Sequence, residues 1–228
     1  MATSNTFTWE LTRDEIISAA LRKLGVLAEG ETASANQIST GATALNSMIM
    51  LFAADDGMPL WQIMQATENL VAAQKDYNVT YGLKVLQVLR KNISSGAQVD
   101  LKEESRTDFN LLNTSTTGTP VSYFVDQAIQ TPVVSVWPKP DAAAAAAEQL
   151  VIVYQKEFDS FTVAGDTPAF PSYWTDAIIY GLAVRLAPEY SVPLEDRKLL
   201  LSEAKMYKDA AESFGGDTAS MFFQREVR

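Results

Sequence analysis

The sequence predicts an α+β fold: an antiparallel helical bundle that carries an inserted antiparallel β-sandwich or small barrel. Three observations lead there. Segments with helical apolar periodicity stand before Pro59 and again after Pro171. Between them, from Gln65 to Asp159, short extended runs alternate with polar turns. The order helices, strands, helices is that of a β domain set inside a helical one. The expected divisions are 1–64 and 160–216 for the two parts of the helical domain, 65–159 for the β insertion, and 217–228 for an extended tail.

The first helix is announced by the capping box Thr12-Arg13-Asp14-Glu15, which places Glu15 at the third helical position. Ile16, Ile17, Ala20, Leu21 and Leu24 then line one face, and Gly25 supplies the stop. A second box, Ser34-Ala35-Asn36-Gln37, opens the next helix. Its stripe is Ile38, Ala42, Leu45, Ile49 and Phe52, and Asp55-Asp56-Gly57 closes it. The linker from Val26 to Ala33 is short enough to make the two an antiparallel pair.

The extended runs are Glu68–Ala72, Asp76–Thr80, Lys84–Ile93, Gln98–Leu101, Pro120–Asp126, Pro132–Pro140 and Gln149–Phe158. Glu104–Leu112 reads as a helical turn and Thr114–Gly118 as a loop. Six consecutive alanines, Ala142–Ala147, separate the last two runs. Alanine is the best helix former, yet six residues fall far short of the roughly 12–15 that an isolated helix needs. Pro138 and Pro140 also bar a helix from extending upstream. The run therefore reads as an apolar, loosely specified connection between antiparallel neighbours, or one fraying turn. After Pro171, Ser172 is an N-cap, Tyr173–Ala187 is apolar nearly all round as in a buried helix, and Pro188 ends it. Leu194–Phe214 is amphipathic, with Leu199, Leu200, Tyr207, Ala210, Ala211 and Phe214 on one side, and Gly215-Gly216 breaks it.

Composition removes several functional classes. The 228 residues include neither cysteine nor histidine. Disulfides, zinc sites on thiolate or imidazole, and Cys–His or Ser–His–Asp nucleophiles are excluded. No cofactor, metal or catalytic residue is expected. The formal charge is −10, with an acidic excess in each of Met1–Met64, Gln65–Pro171 and Ser172–Arg228. A general nucleic-acid binder needs a basic stripe, and none is visible. No basic leader with an apolar stretch and no apolar run of membrane-spanning length is visible, so a soluble chain is expected.

Gly25 to Thr32 has the spacing of a phosphate-binding loop, but Glu31 occupies the lysine position, where a carboxylate repels phosphate. The glycines read as a helix stop and a turn. Asp55-Asp56, Glu103-Glu104, and Asp159 with Asp166 are the acidic clusters a glycosidase would draw on; on exposed turns such carboxylates act as caps and solvated groups. Trp9, Trp61, Trp137 and Trp174 fall in apolar patterns and read as core or interface. Beyond Gly216, Met221, Phe222 and Phe223 form a compact apolar cluster at a chain terminus, which marks a binding site. Arg225 and Arg228 follow them, suited to pairing with an acidic rim.

Five stretches in order resemble a known family: Ile16–Glu31 (IISAALRKLGVLAEGE), Ala44–Ile49 (ALNSMI), Gly118–Tyr123 (GTPVSY), Val136–Asp141 (VWPKPD) and Phe170–Tyr190 (FPSYWTDAIIYGLAVRLAPEY). Together they resemble the head-to-tail adaptor proteins of short-tailed bacteriophages, of the tail tubular protein A and packaged-DNA-stabilisation type, over about Thr12 to Phe214. The resemblance implies a structural virion protein at the head–tail junction, resident in the host cytoplasm during assembly. It implies a homo-oligomeric ring of twelve copies that docks below the portal protein, receives the tail nozzle protein and continues the DNA channel without binding DNA specifically. It also implies that the C-terminal segment reaches the portal, which makes Met221, Phe222, Phe223, Arg225 and Arg228 the expected portal interface. Even acidity suits a wall past which DNA must slide. Two other readings stay open: a virion-associated carboxylate hydrolase acting on host surface glycan, and a tail-completion protein without the ring.

Overall fold

The computed structural model describes residues 10–53, 60–127, 131–167 and 169–215. The chain is α+β. It divides into one unit made of Met1–Leu60 with Phe158–Arg228, and a second made of Trp61–Glu157. Among the described residues no helix is long and apolar enough to cross a membrane.

The first unit is built on α1 (Arg13–Lys23), α2 (Ala35–Ala53), α5 (Thr175–Leu186) and α6 (Leu194–Gly215). Both expected capping boxes form. Glu15 accepts the Thr12 backbone N–H at 2.8 Å and the Thr12 hydroxyl at 2.8 Å. Gln37 Oε1 accepts the Ser34 N–H at 2.8 Å, while Ser34 Oγ accepts the Gln37 N–H at 3.4 Å. α1 stops as its sequence dictates. Gly25 takes φ +69°, a left-handed conformation that favours glycine. The N–H groups of Gly25 and Val26 then return to the carbonyls of Arg22 and Leu21. Gly30, at φ +81°, makes the next turn.

α1, α2 and α6 all pack on α5. Ile16, Ile17, Leu21, Leu45, Ile178, Leu182 and Leu186 are fully buried at that junction. α5 is covered on most of its circumference, in keeping with its apolar sequence, and a 3₁₀ turn at Ser172–Trp174 leads into it. Gly41 lets α2 close on α1: a Cβ there would stand 2.5 Å from Ile17 Cγ2. α6 departs from its expected single stripe. Leu200 and Ala211 are buried, but Leu199, Ala210 and Phe214 face solvent. The two sets lie on different sides of the helix, because α5 covers only one of them.

The second unit holds β1 (Ile63–Asn69), β2 (Asp76–Asn78), β3 (Gly82–Asn92), β4 (Gln98–Asp100), β5 (Lys102–Glu103), α3 (Arg106–Leu111), β6 (Thr117–Gly118), β7 (Ser122–Asp126), β8 (Val133–Trp137), β9 (Lys139–Pro140), α4 (Ala142–Ala147) and β10 (Glu148–Lys156). One sheet runs β1-β10-β3-β4 and a second β2-β8-β7-β5, with β6 and β9 as a separate pair. The long ladders are antiparallel; the two-residue pairings β5–β7 and β6–β9 are parallel. Val88, Leu150 and Ile152 of the first sheet share one apolar cluster with Tyr77, Tyr123, Val134 and Val136 of the second. β1 begins at Ile63, earlier than the run Glu68–Ala72, because pairing with β10 extends it from Gln155 to Gln149.

The alanine run corrects the sequence reading. Pro132–Pro140 and Gln149–Phe158 are not antiparallel neighbours: β8 lies between β2 and β7, and β10 between β1 and β3. Ala142–Ala147 is the helix α4, and it carries the chain from β9, in the two-stranded pair, to β10 of the first sheet. Six residues suffice because this helix does not stand alone. Asp141 caps it, its carboxylate accepting the Ala144 N–H at 2.7 Å. Ala144 is buried and Ala145 packs against the apolar cluster of the sheets, and such packing replaces the length an isolated helix would need.

Candidate functional site

The expected portal-interface residues Met221, Phe222, Phe223, Arg225 and Arg228 lie outside the described residues, as do Asp55, Asp56 and Trp9. What the structure places near the start of that tail is the outward side of α6. Leu199, Met206, Ala210 and Phe214 recur at helical spacing along it. Leu199 is 61% exposed, Met206 56% and Phe214 77%. At the far end Phe214 meets Tyr173 edge-on, with ring centroids 4.8 Å apart. Glu203 lies within the same stripe, and Glu195 and Asp196 stand at the N-terminal end. An apolar line with acidic residues along it is the result.

Its N-terminal half borders a cleft of about 570 Å³, whose walls include Lys23, Tyr180, Tyr190, Asp196, Leu199 and Glu203. Gly25 follows α1 into this wall, and Ser191, at φ +54°, turns the chain from α5 toward α6. Lys23 Nζ is 4.9 Å from the Tyr180 ring centroid, and the Tyr180 and Tyr207 rings are 4.8 Å apart. The Tyr180 hydroxyl holds the Lys23 ammonium above its ordinary range, against the opposing effect of burial. Tyr207 is raised by neighbouring Tyr180 first, then by burial and by the Asp176 charge. Burial raises Tyr190, with the Glu189 charge adding to it. With Lys23 held charged and Tyr190 held neutral, the cleft offers hydrogen bonds and aromatic faces.

A second cleft of about 480 Å³ includes Ser39, Thr40, Thr43, Ser47, Arg185 and Glu189. Arg185 Nη1 donates to Ser47 Oγ at 2.9 Å, and Glu189 on the same rim opposes a bound anion.

Two members of the acidic clusters, Glu104 and Asp166, are engaged in structural contacts. Glu104 pairs with Lys102 at 2.9 Å. Asp166 accepts the N–H groups of Thr162 at 2.6 Å and Val163 at 2.8 Å. Those backbone bonds, Val163 foremost, hold its carboxyl below the usual range, and Thr12 does the same for Glu15. A general acid needs the opposite shift. Among the described residues no cluster of three or more acidic side chains is placed to hold a metal ion. Trp174 is buried and Trp61 and Trp137 are half-buried, and the Trp137 indole N–H donates to the Asn113 carbonyl at 3.0 Å.

Sequence reasoning missed the outward stripe of α6 as a surface of its own. Its signal was legible: Leu199 and Met206 are seven residues apart, and the stripe expected from sequence merged their side of the helix with the buried one. Compared with known proteins, the chain matches no family model, and its sequence matches no curated protein.

Proposed function

We propose that the chain is a structural virion protein, a head-to-tail adaptor of the short-tailed bacteriophage type. In this reading twelve copies form a ring beneath the portal protein, continue the DNA channel, and present a surface to the tail nozzle protein. The single observation that carries it is the interrupted architecture. A helical unit, Met1–Leu60 with Phe158–Arg228, is split by a strand-rich unit, Trp61–Glu157, and the motifs of the resemblance fall in order along both. We read α1, α2, α5 and α6 as an antiparallel bundle. The two four-stranded sheets, joined through one apolar cluster, are read as a β-sandwich. The carboxylates at Glu15, Glu104 and Asp166 are engaged in caps, turns and a lysine pair, which supports a structural rather than a hydrolytic role.

The portal contact is assigned to Met221, Phe222, Phe223, Arg225 and Arg228. Burying two phenylalanines and a methionine contributes roughly 4–8 kcal/mol before ordering costs, and a closed ring repeats that anchor in each subunit. Electron microscopy of the protein mixed with its portal tests the assignment: rings of protein attached to one face of the portal are expected. A chain ending at Gly216, and a Phe222→Ala, Phe223→Ala double variant, should both fail to co-sediment with the portal. Full-strength binding by both would move the interface elsewhere. Release of reducing sugar from host surface glycan, abolished by one Asp or Glu substitution, would overturn the adaptor reading in favour of a hydrolase.

A further inference from the structure

We propose that the outward stripe of α6 is the docking site of the chain's own C-terminal segment, residues 216–228, in the protein by itself. Leu199, Met206, Ala210 and Phe214 form one apolar line on the exposed side of α6. Glu203 lies in that line, and Asp196 stands at its N-terminal end beside Glu195, which is already paired with Lys198 at 2.9 Å. The occupant is named by the sequence that follows. Met221, Phe222 and Phe223 supply the apolar group, and Arg225 and Arg228, on either side of Glu226, leave a net positive charge beyond it. Apolar residues then precede basic ones in the tail, while along α6, read backwards from Gly215, Phe214, Ala210 and Met206 precede the acidic Glu203 and Asp196, with Leu199 between those two. The order is complementary for an antiparallel return.

The reach allows it. Met206 lies about 14 Å back along the helix from Gly215 at 1.5 Å per residue. Phe222 follows Gly215 by an extended span of up to roughly 25 Å. Arg225 and Arg228 reach up to roughly 35 and 45 Å, enough for Glu203 and for Asp196, which lies about 29 Å back. Gly215-Gly216 is where a chain reverses at least steric cost. Docking this segment covers an apolar line that a lone chain otherwise exposes to water. The inference concerns the isolated chain, and it stands or falls irrespective of what the tail binds in an assembly.

The absence of cysteine makes a clean test. In the 228-residue chain, dilute and under mild oxidation, a Met206→Cys, Phe222→Cys variant should form an intramolecular disulfide, seen as a faster-migrating monomer on a non-reducing gel. The comparison is a Leu201→Cys, Phe222→Cys chain. Leu201 is 58% exposed and stands on another side of the same helix, so both variants are expected to fold alike. The link to the Met206 position should form roughly tenfold faster than the link to the Leu201 position, as expected when docking raises local concentration on one side. Adding Arg225→Glu and Arg228→Glu to the first chain should slow its link several-fold, with addition of salt acting in the same direction. Equal rates at the two helix positions would overturn the proposal. So would a rate indifferent to the charge reversals, or links found only between chains, which would place a neighbour's segment on the stripe.

Discussion

At the scale of single residues, close approach and burial decide what can be changed. Gly41 is where α2 meets α1, and an added methyl would stand 2.5 Å from Ile17 Cγ2. Ile17 is fully buried and branched at Cβ, so it has nowhere to turn. Gly41→Ala is expected to destabilise the protein by about 1–2 kcal/mol in urea denaturation, overpacking outweighing the roughly 1 kcal/mol that alanine gains over glycine in a helix. Gly165→Ala is the control, since nothing lies within 4 Å of its added Cβ, and it should be neutral. Tyr123 offers a test by pH. Burial, helped by the Glu103 and Asp100 charges, pushes its hydroxyl up to about 12. A tyrosine raised in the folded state stabilises fully below its unfolded value, about 10, and that contribution is lost as pH rises from there toward 12. Urea midpoints of the natural chain should therefore fall with pH in the alkaline range more steeply than those of Tyr123→Phe. Parallel curves would show that Tyr123 ionises freely.

At the scale of elements, α4 is the instructive case. Its alanines carry no side-chain chemistry, yet they hold the crossover from β9 to β10, with Asp141 as cap and Ala144 packed inside. Asp141→Ala should cost about 0.5–2 kcal/mol, the usual worth of an N-cap. Replacing Ala142–Ala147 by a two-residue Asn-Gly turn should cost more than about 2 kcal/mol, beyond the common range for one substitution. Such a turn would force β9 and β10 together as hairpin partners, whereas β10 is already flanked by β1 and β3. A thermal melt unchanged by the replacement would show that the crossover is dispensable. α6 teaches the complementary lesson: one helix carries a buried face, covered by α5, and an exposed apolar one.

At the scale of the whole molecule, the interruption of one unit by another has a mechanical consequence. Trp61–Glu157 contains its own apolar cluster and closes its ladders internally, β1 with β10 at its two ends. Expressed alone, it is expected to fold cooperatively and to give a strand-dominated circular dichroism spectrum. A mainly helical or unfolded spectrum would show that its sheets depend on the helical unit. The helical unit has the converse requirement: α1 and α2 must meet α5 and α6 across the whole insertion, a closure whose entropic cost grows only slowly with length. A pre-folded insertion with paired first and last strands brings those ends together.

What the sequence determined by itself is the part of the fold written in residues three and four positions apart. The capping boxes at Thr12 and Ser34, the stop at Gly25, and the buried faces of α1 and α5 all depend on neighbours within one helical turn, and they form where the sequence placed them. The existence of strands in the interior was legible for the same reason, since alternation and turn residues are local. Partner choice is not local. Whether β8 lies against β10 or in another sheet turns on which apolar faces bury one another, and the alanines became a capped helix only because those strands were apart. The same holds for α6. Its periodicity allowed two apolar lines, and only the position of α5 decided that Leu200 and Ala211 would be buried while Leu199 and Phe214 were left to water.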